Sequence, residues 1–92
     1  MASERLSLDI RATNGASWTT DDFRSNMRID HVRRKAVDHF VEEGAMAAGD
    51  YLLAIVEGGS TRDLIDAQKL DEANVPSGSV LVLIPRQPQV DG

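Results

Sequence analysis

Lys69-Leu70-Asp71-Glu72-Ala73-Asn74-Val75-Pro76-Ser77-Gly78-Ser79-Val80-Leu81-Val82-Leu83-Ile84-Pro85 is the stretch that decides how this chain folds. It divides into three parts. Leu70 to Val75 reads as a single helical turn. Pro76-Ser77-Gly78 is turn chemistry, with proline presetting φ and glycine free to adopt a positive one. Val80 to Ile84 is an unbroken apolar run, the mark of a strand buried on one face and partly covered on the other. Pro85 ends the ladder because it has no N–H to donate. Alternation along the run is read with Val80, Val82 and Ile84 toward the core, which turns Leu81 and Leu83 to the other face.

Working back toward the N-terminus, Leu6, Leu8 and Ile10 alternate with Ser7, Asp9 and Arg11, a half-buried strand over Arg5 to Ala12. Asn14-Gly15 is a strong hairpin signal, with Ser17-Trp18-Thr19-Thr20 as the returning strand. Trp18 is expected over the hairpin face, and Asp21 to Asn26 reads as polar chain leaving the sheet. Val32, Ala36, Val37, Phe40 and Val41 recur at helical spacing, so Ile29 to Glu43 is a helix. Asp30 is the expected N-cap and Gly44 the residue that ends it. Tyr51 to Val56 is a further strand, closed by Gly58-Gly59, and Arg62-Asp63-Leu64-Ile65 is read as a short edge strand. The first and last strands, joined by a helix crossover, are expected to lie parallel at the sheet centre.

Composition narrows the function. The chain has 92 residues, enough for one small domain. Hydrophobic residues make up 41% and charged residues 27%, which is globular rather than disordered. A net charge of -5 argues against a nucleic-acid partner, since phosphate binding needs clustered cations. There is no cysteine, so disulfides, thiolate metal sites and a thiol nucleophile are excluded. Met1-Ala2-Ser3-Glu4-Arg5 lacks the apolar core of a signal peptide, and no apolar run approaches the roughly 20 residues that span a bilayer. These features suit a cytoplasmic protein with no membrane partner. His31 and His39 are too far apart on one helix to pair on a metal. Gly58-Gly59 lacks the Lys-Ser/Thr of a phosphate loop. Arg33-Arg34-Lys35 reads as a solvated helix face.

The order of elements, with the three stretches Ile29 to Val37, Tyr51 to Gly58 and Lys69 to Leu83, resembles the ubiquitin-like β-grasp family. The resemblance runs from about Arg5 to Ile84, and is nearest to divergent bacterial ubiquitin-like modifiers. It implies an α+β fold, a four- to five-stranded mixed sheet with one helix packed across it. Residues 1–85 would form that domain and residues 86–92 an extended C-terminal tail.

The resemblance also implies a function for the tail. Such modifiers end in glycine, usually two, and here Val90-Asp91-Gly92 keeps the last and has aspartate before it. The Gly92 carboxylate would be activated by a separate ATP-dependent activating enzyme and passed through a conjugating enzyme to a target protein, with a processing protease as a further partner. Arg86, Gln87, Pro88, Gln89 and Val90 would be the part of the tail those partners read. Pro85 and Pro88 restrict the tail and reduce the entropy lost on ordering it, and glycine lets the reacting carbonyl be approached closely. The chain itself would be no enzyme and would bind no cofactor. Ile55, Leu81 and Leu83 are the expected partner-binding patch, and self-assembly through it is a further expectation. The alternatives are a non-conjugated interaction module like the ubiquitin-like proteins of type VII secretion, and a sulfur carrier, against which Asp91 counts.

Overall fold

The computed structural model describes residues 4–86. Five strands and one helix follow in the order β1 (Arg5–Arg11), β2 (Ser17–Arg24), α1 (Ile29–Glu42), β3 (Tyr51–Glu57), β4 (Ser60–Asp63) and β5 (Val80–Pro85). They make one mixed sheet, β2-β1-β5-β3-β4, with α1 packed across one face. β1 and β5 are parallel neighbours at its centre; every other pair is antiparallel. This is the ubiquitin-like β-grasp. Among the described residues no helix is long and apolar enough to cross a membrane.

Hydrophobic periodicity sets the layers. Leu6, Leu8 and Ile10 of β1 point down to Ile29, Val32, Ala36 and Phe40 of α1, all buried. Leu53 and Ile55 of β3 and Leu81 and Leu83 of β5 extend the same layer. Leu64, Leu70, Ala73 and Val75, from the segment between β4 and β5, close its side.

The first hairpin turns at Thr13-Asn14-Gly15. The Gly15 N–H donates to Ala12 O and Gly15 sits at φ +93°, so only the glycine uses the left-handed region. The Asn14 carboxamide instead accepts from the Ala16 N–H. β2 then runs to Arg24, four residues beyond the expected Thr20. An extra residue explains why its second half looked like a loop. Leu8 pairs with Thr20 but Leu6 pairs with Phe23, so a bulge at Asp21-Asp22 breaks the alternation and returns Phe23 to the core. The Thr20 hydroxyl, accepting from the Asp22 N–H at 3.1 Å, holds the bulge.

Asp30 is not the N-cap of α1. That position is Arg28, with no side-chain cap bond. The free N–H groups of the first turn are satisfied by the chain between β4 and β5: Ile29 donates to Gln68 O and Asp30 to Asp66 O. Asp30 pairs instead with Arg28 and Arg34, at 3.5 and 3.8 Å. The basic run is divided. Arg33 is half-buried and bidentate on Asp66, at 3.1 and 3.2 Å, while Arg34 and Lys35 are exposed.

α1 ends in a Schellman motif: Ala45 N–H reaches Phe40 O and Gly44 N–H reaches Val41 O, with Gly44 at φ +73°. No atom crowds the Gly44 position, so the cost of a side chain there is conformational alone. Gly44→Ala is expected to lower stability by about 1 kcal/mol, read as a shift in urea midpoint at unchanged slope.

The expected edge strand is displaced by two residues. β4 is Ser60–Asp63, and Leu64 instead turns inward, its N–H still bonded to Leu53 O. Leu70 to Val75 makes the expected turn, with Ala73 bonded back to Lys69 and Val75 to Leu70. Arg62 fixes it to the β3–β4 hairpin by donating to Glu57 and to Ala73 O. The hydrogen bonds between Arg62 and Glu57 hold the Glu57 carboxyl below the ordinary carboxylate range and raise Arg62.

Candidate interaction face

The expected patch of Ile55, Leu81 and Leu83 is not on the surface. These residues are 2%, 0% and 2% exposed and belong to the core. The reason is register. Leu81 stands between Ile10 on β1 and Ile55 on β3, and Leu83 stands beside Leu53. Laterally paired residues share a face of the sheet. Ile10 is held inward by the helix, so Leu81 must follow, and the phase of the whole strand is fixed.

Val80, Val82 and Ile84, expected inside, therefore face away from the helix. Their partners on β3 face the same way: Val56 beside Val80, Ala54 beside Val82 and Leu52 beside Ile84. Two strands thus present an apolar strip on the side of the sheet opposite α1. Ala54 is its fully covered floor, and Val56 its most open member at 37%. Polar residues border it. Asp9 and Arg11 lie alongside on β1, joined by an ion pair of 3.2 Å, and Thr61 and Asp63 lie alongside on β4. An apolar centre with a charged rim is the general make-up of a protein-docking surface.

The strip leads to Arg86, the last described residue. Beyond Ile84, Pro85 pairs with Tyr51, and the Arg86 N–H donates to Asp50 O at 2.9 Å. Arg86, the first residue expected to be read by partners, is exposed at this exit point. Gln87, Pro88, Gln89, Val90, Asp91 and Gly92 lie outside the described residues.

A second surface was not anticipated from the sequence. Trp18 lies on the helix side of β2, opposite Ile10, and its ring stacks on His39 of α1, with centroids 4.0 Å apart and planes 10° from parallel. Phe23 meets Trp18 edge-on at 5.9 Å. The signal available in the sequence was the recurrence of His31, Lys35 and His39 once per turn on one helix flank.

No protein-family model and no curated protein matches this sequence. Solved structures do match in shape. A protein designed de novo on ubiquitin is 23% identical, covering 95% of this chain and 95% of its own, with a TM-score of 0.68. The C-terminal ubiquitin-like domain of mouse tubulin-specific chaperone e is 17% identical, covering 99% of this chain and 96% of its own, with a TM-score of 0.72. The chain has the ubiquitin-like fold over nearly its whole length, and at these identities the likeness concerns the fold alone.

Proposed function

We propose that this chain is a ubiquitin-like protein modifier, gripped by partner proteins through its outer sheet face and attached to a target through Gly92. One observation carries the reading: the central strand β5 bears Val82 and Ile84 outward and then delivers the chain out of the sheet at Arg86. A partner seated on the apolar strip is thereby beside the start of the tail. Docking and threading of the terminus into a narrow active site become one event.

The chemistry belongs to the partners. A carboxylate is a poor electrophile at neutral pH. An ATP-dependent activating enzyme would join the Gly92 carboxylate to AMP as a mixed anhydride, releasing pyrophosphate. A thiol or hydroxyl would then displace AMP, and an acceptor nucleophile on the target would displace that carrier in turn. This chain contributes the tail, Arg86 to Val90 as the segment read, Asp91 as the residue before the junction, and Gly92 as the acyl group. These steps belong in the cytoplasm, where ATP is supplied.

Epitope-tagged protein expressed in its source cells tests this. Adducts of higher mass are expected for the parent chain, and deletion of Gly92 should remove them. Mass spectrometry should find the Gly92 carbonyl in amide or ester linkage. An unchanged adduct pattern after the deletion would overturn attachment through Gly92.

A second reading is a non-conjugated interaction module. Asp91 in place of a second glycine favours it, and the outer face suffices for docking without a reactive tail. In that case the tagged protein recovers partners held without a covalent bond, and Gly92 is dispensable.

A further inference from the structure

We propose that Asn14 is a self-modification site: it cyclises on the Gly15 nitrogen when the β1–β2 turn opens, and the amide group it loses is the donor that ties this turn to the end of α1. The inference does not depend on attachment at Gly92.

Sequence sets the reactivity. The backbone nitrogen that follows an asparagine can close a five-membered ring on the side-chain carbonyl carbon. Glycine at that place leaves the nitrogen unshielded, because it has no Cβ. Of Asn14, Asn26 and Asn74, only the first precedes glycine; the others precede Met27 and Val75. Asn14 and Gly15 are both exposed, and no atom stands within 4 Å of the point a Gly15 Cβ would occupy. Water therefore reaches the reacting groups.

The folded turn holds those groups in other bonds. Asn14 Nδ2 donates to Ala45 O, just past the end of α1. Asn14 Oδ1 accepts from the Ala16 N–H at 3.0 Å. The Gly15 N–H, whose proton must leave before the nitrogen can attack, donates to Ala12 O at 3.1 Å. Electrophile and nucleophile are both engaged. For ring closure the carboxamide must swing off Ala45 and Gly15 must release Ala12, which is a local opening of the turn.

The step balances with water as the only co-reactant. The Gly15 nitrogen gives its proton to solvent and attacks Asn14 Cγ. The new C–N bond closes a succinimide, the Cγ–Nδ2 bond breaks, and Nδ2 takes a proton and leaves as ammonia. Water then opens the ring. Attack at Cγ gives aspartate; attack at the backbone carbonyl gives isoaspartate, with the chain running through the former side chain. No atom is oxidised or reduced.

The group that leaves is the clamp. Either product carries a carboxylate, which can still accept from the Ala16 N–H but has no hydrogen to give Ala45 O. It also meets the negative end of the α1 dipole, where Glu42 and Glu43 already stand. Isoaspartate in addition lengthens the backbone within the turn that pairs Ala12 with Ala16. The turn cannot reclose on Ala45. Buried Ala12 and Met46 and half-buried Ala16 and Ala45, next in sequence to the bonded groups, lose cover with it. Because ammonia is lost to solvent, the product is a permanent record that the turn has opened.

The full chain is incubated in mildly alkaline buffer, folded or in urea above its unfolding midpoint. Peptide mapping by mass spectrometry follows Asn14, Asn26 and Asn74. In urea Asn14 should convert to isoaspartate and aspartate well ahead of the other two. In the folded chain its rate should be lower by about tenfold or more. No conversion in urea, or conversion no faster than at Asn26 and Asn74, would overturn the proposal. Equal rates with and without urea would do the same, since the turn's bonds would then restrain nothing. Anion exchange separates the converted chain by its added charge. Its amide shifts should change from Ala12 to Ser17 and from Glu43 to Met46, and its urea midpoint should fall. Parent shifts at Glu43 to Met46 with a parent midpoint would overturn the clamp. Asn14→Asp reproduces the aspartate product at an exposed position and should fold. It should melt below Asn14→Ala, by a gap that narrows in high salt. An Asn14→Asp chain as stable as the parent would overturn the proposal.

Discussion

Leu81→Asp is expected to unfold the protein. Leu81 is wholly buried, wedged between Ile10 of β1 and Ile55 of β3 at the centre of the sheet. Truncating such a leucine costs about 2–5 kcal/mol in lost burial and cavity formation. Aspartate adds the cost of an unpaired carboxylate in an apolar interior, several kcal/mol more. Domains of this size are held by only about 5–15 kcal/mol in total, so the combined loss reaches or exceeds the whole. Far-UV circular dichroism and urea titration measure it. No cooperative transition is expected for Leu81→Asp, while Leu81→Ala should fold with a melting temperature lower by about 10 °C or more. A Leu81→Asp protein that melts near the parent temperature would show that Leu81 faces solvent.

Val82→Glu, one residue along, should do the reverse. Val82 faces outward between Arg11 and Ala54, so a carboxylate there remains in contact with water. The fold should survive with a loss of about 1 kcal/mol from strand propensity and packing. Partner binding should fall far more. A charge placed in the apolar centre of a docking surface costs about 2 kcal/mol or more, close to thirtyfold in affinity. Melting temperature and adduct yield, measured on the same preparation, separate the two effects. Native melting with undiminished adducts would mean that partners do not use this face.

This pair of residues also shows where the sequence was legible. The alternation Leu6-Leu8-Ile10 and the helical spacing Val32-Ala36-Phe40 each have one apolar phase, and both were readable without a partner strand. Val80-Leu81-Val82-Leu83-Ile84 is apolar in both phases. Nothing within it says which side is inward; only pairing with Ile10 and Ile55 does, and pairing is a tertiary fact. The apolar face on β5 is therefore displaced by one residue from the expected patch, although the strand, its neighbours and its parallel partner follow from the sequence. β2 was foreshortened for a related reason, since the bulge puts Thr20 and Phe23 three apart on one face and hides Phe23 from a period-two pattern. Asp30 looked like an N-cap because local rules know nothing of the carbonyls of Asp66 and Gln68. The Trp18–His39 stack joins residues twenty-one positions apart and has no local signature.

The parallel pairing of β1 with β5 has a mechanical consequence. β1 is entered from one end of the sheet and β5 is left from the other, and the two run side by side. Tension applied between Arg5 and Arg86 therefore pulls the two strands in opposite directions along their length. Their slanted hydrogen bonds are loaded together in shear instead of opening one after another. Rupture must also drag Leu81 past Ile10 through the packed core. An antiparallel pair pulled from its open end would unzip bond by bond, and such a pair is what β3 and β4 offer. A body stretched between its two ends should therefore resist force most strongly along its central seam.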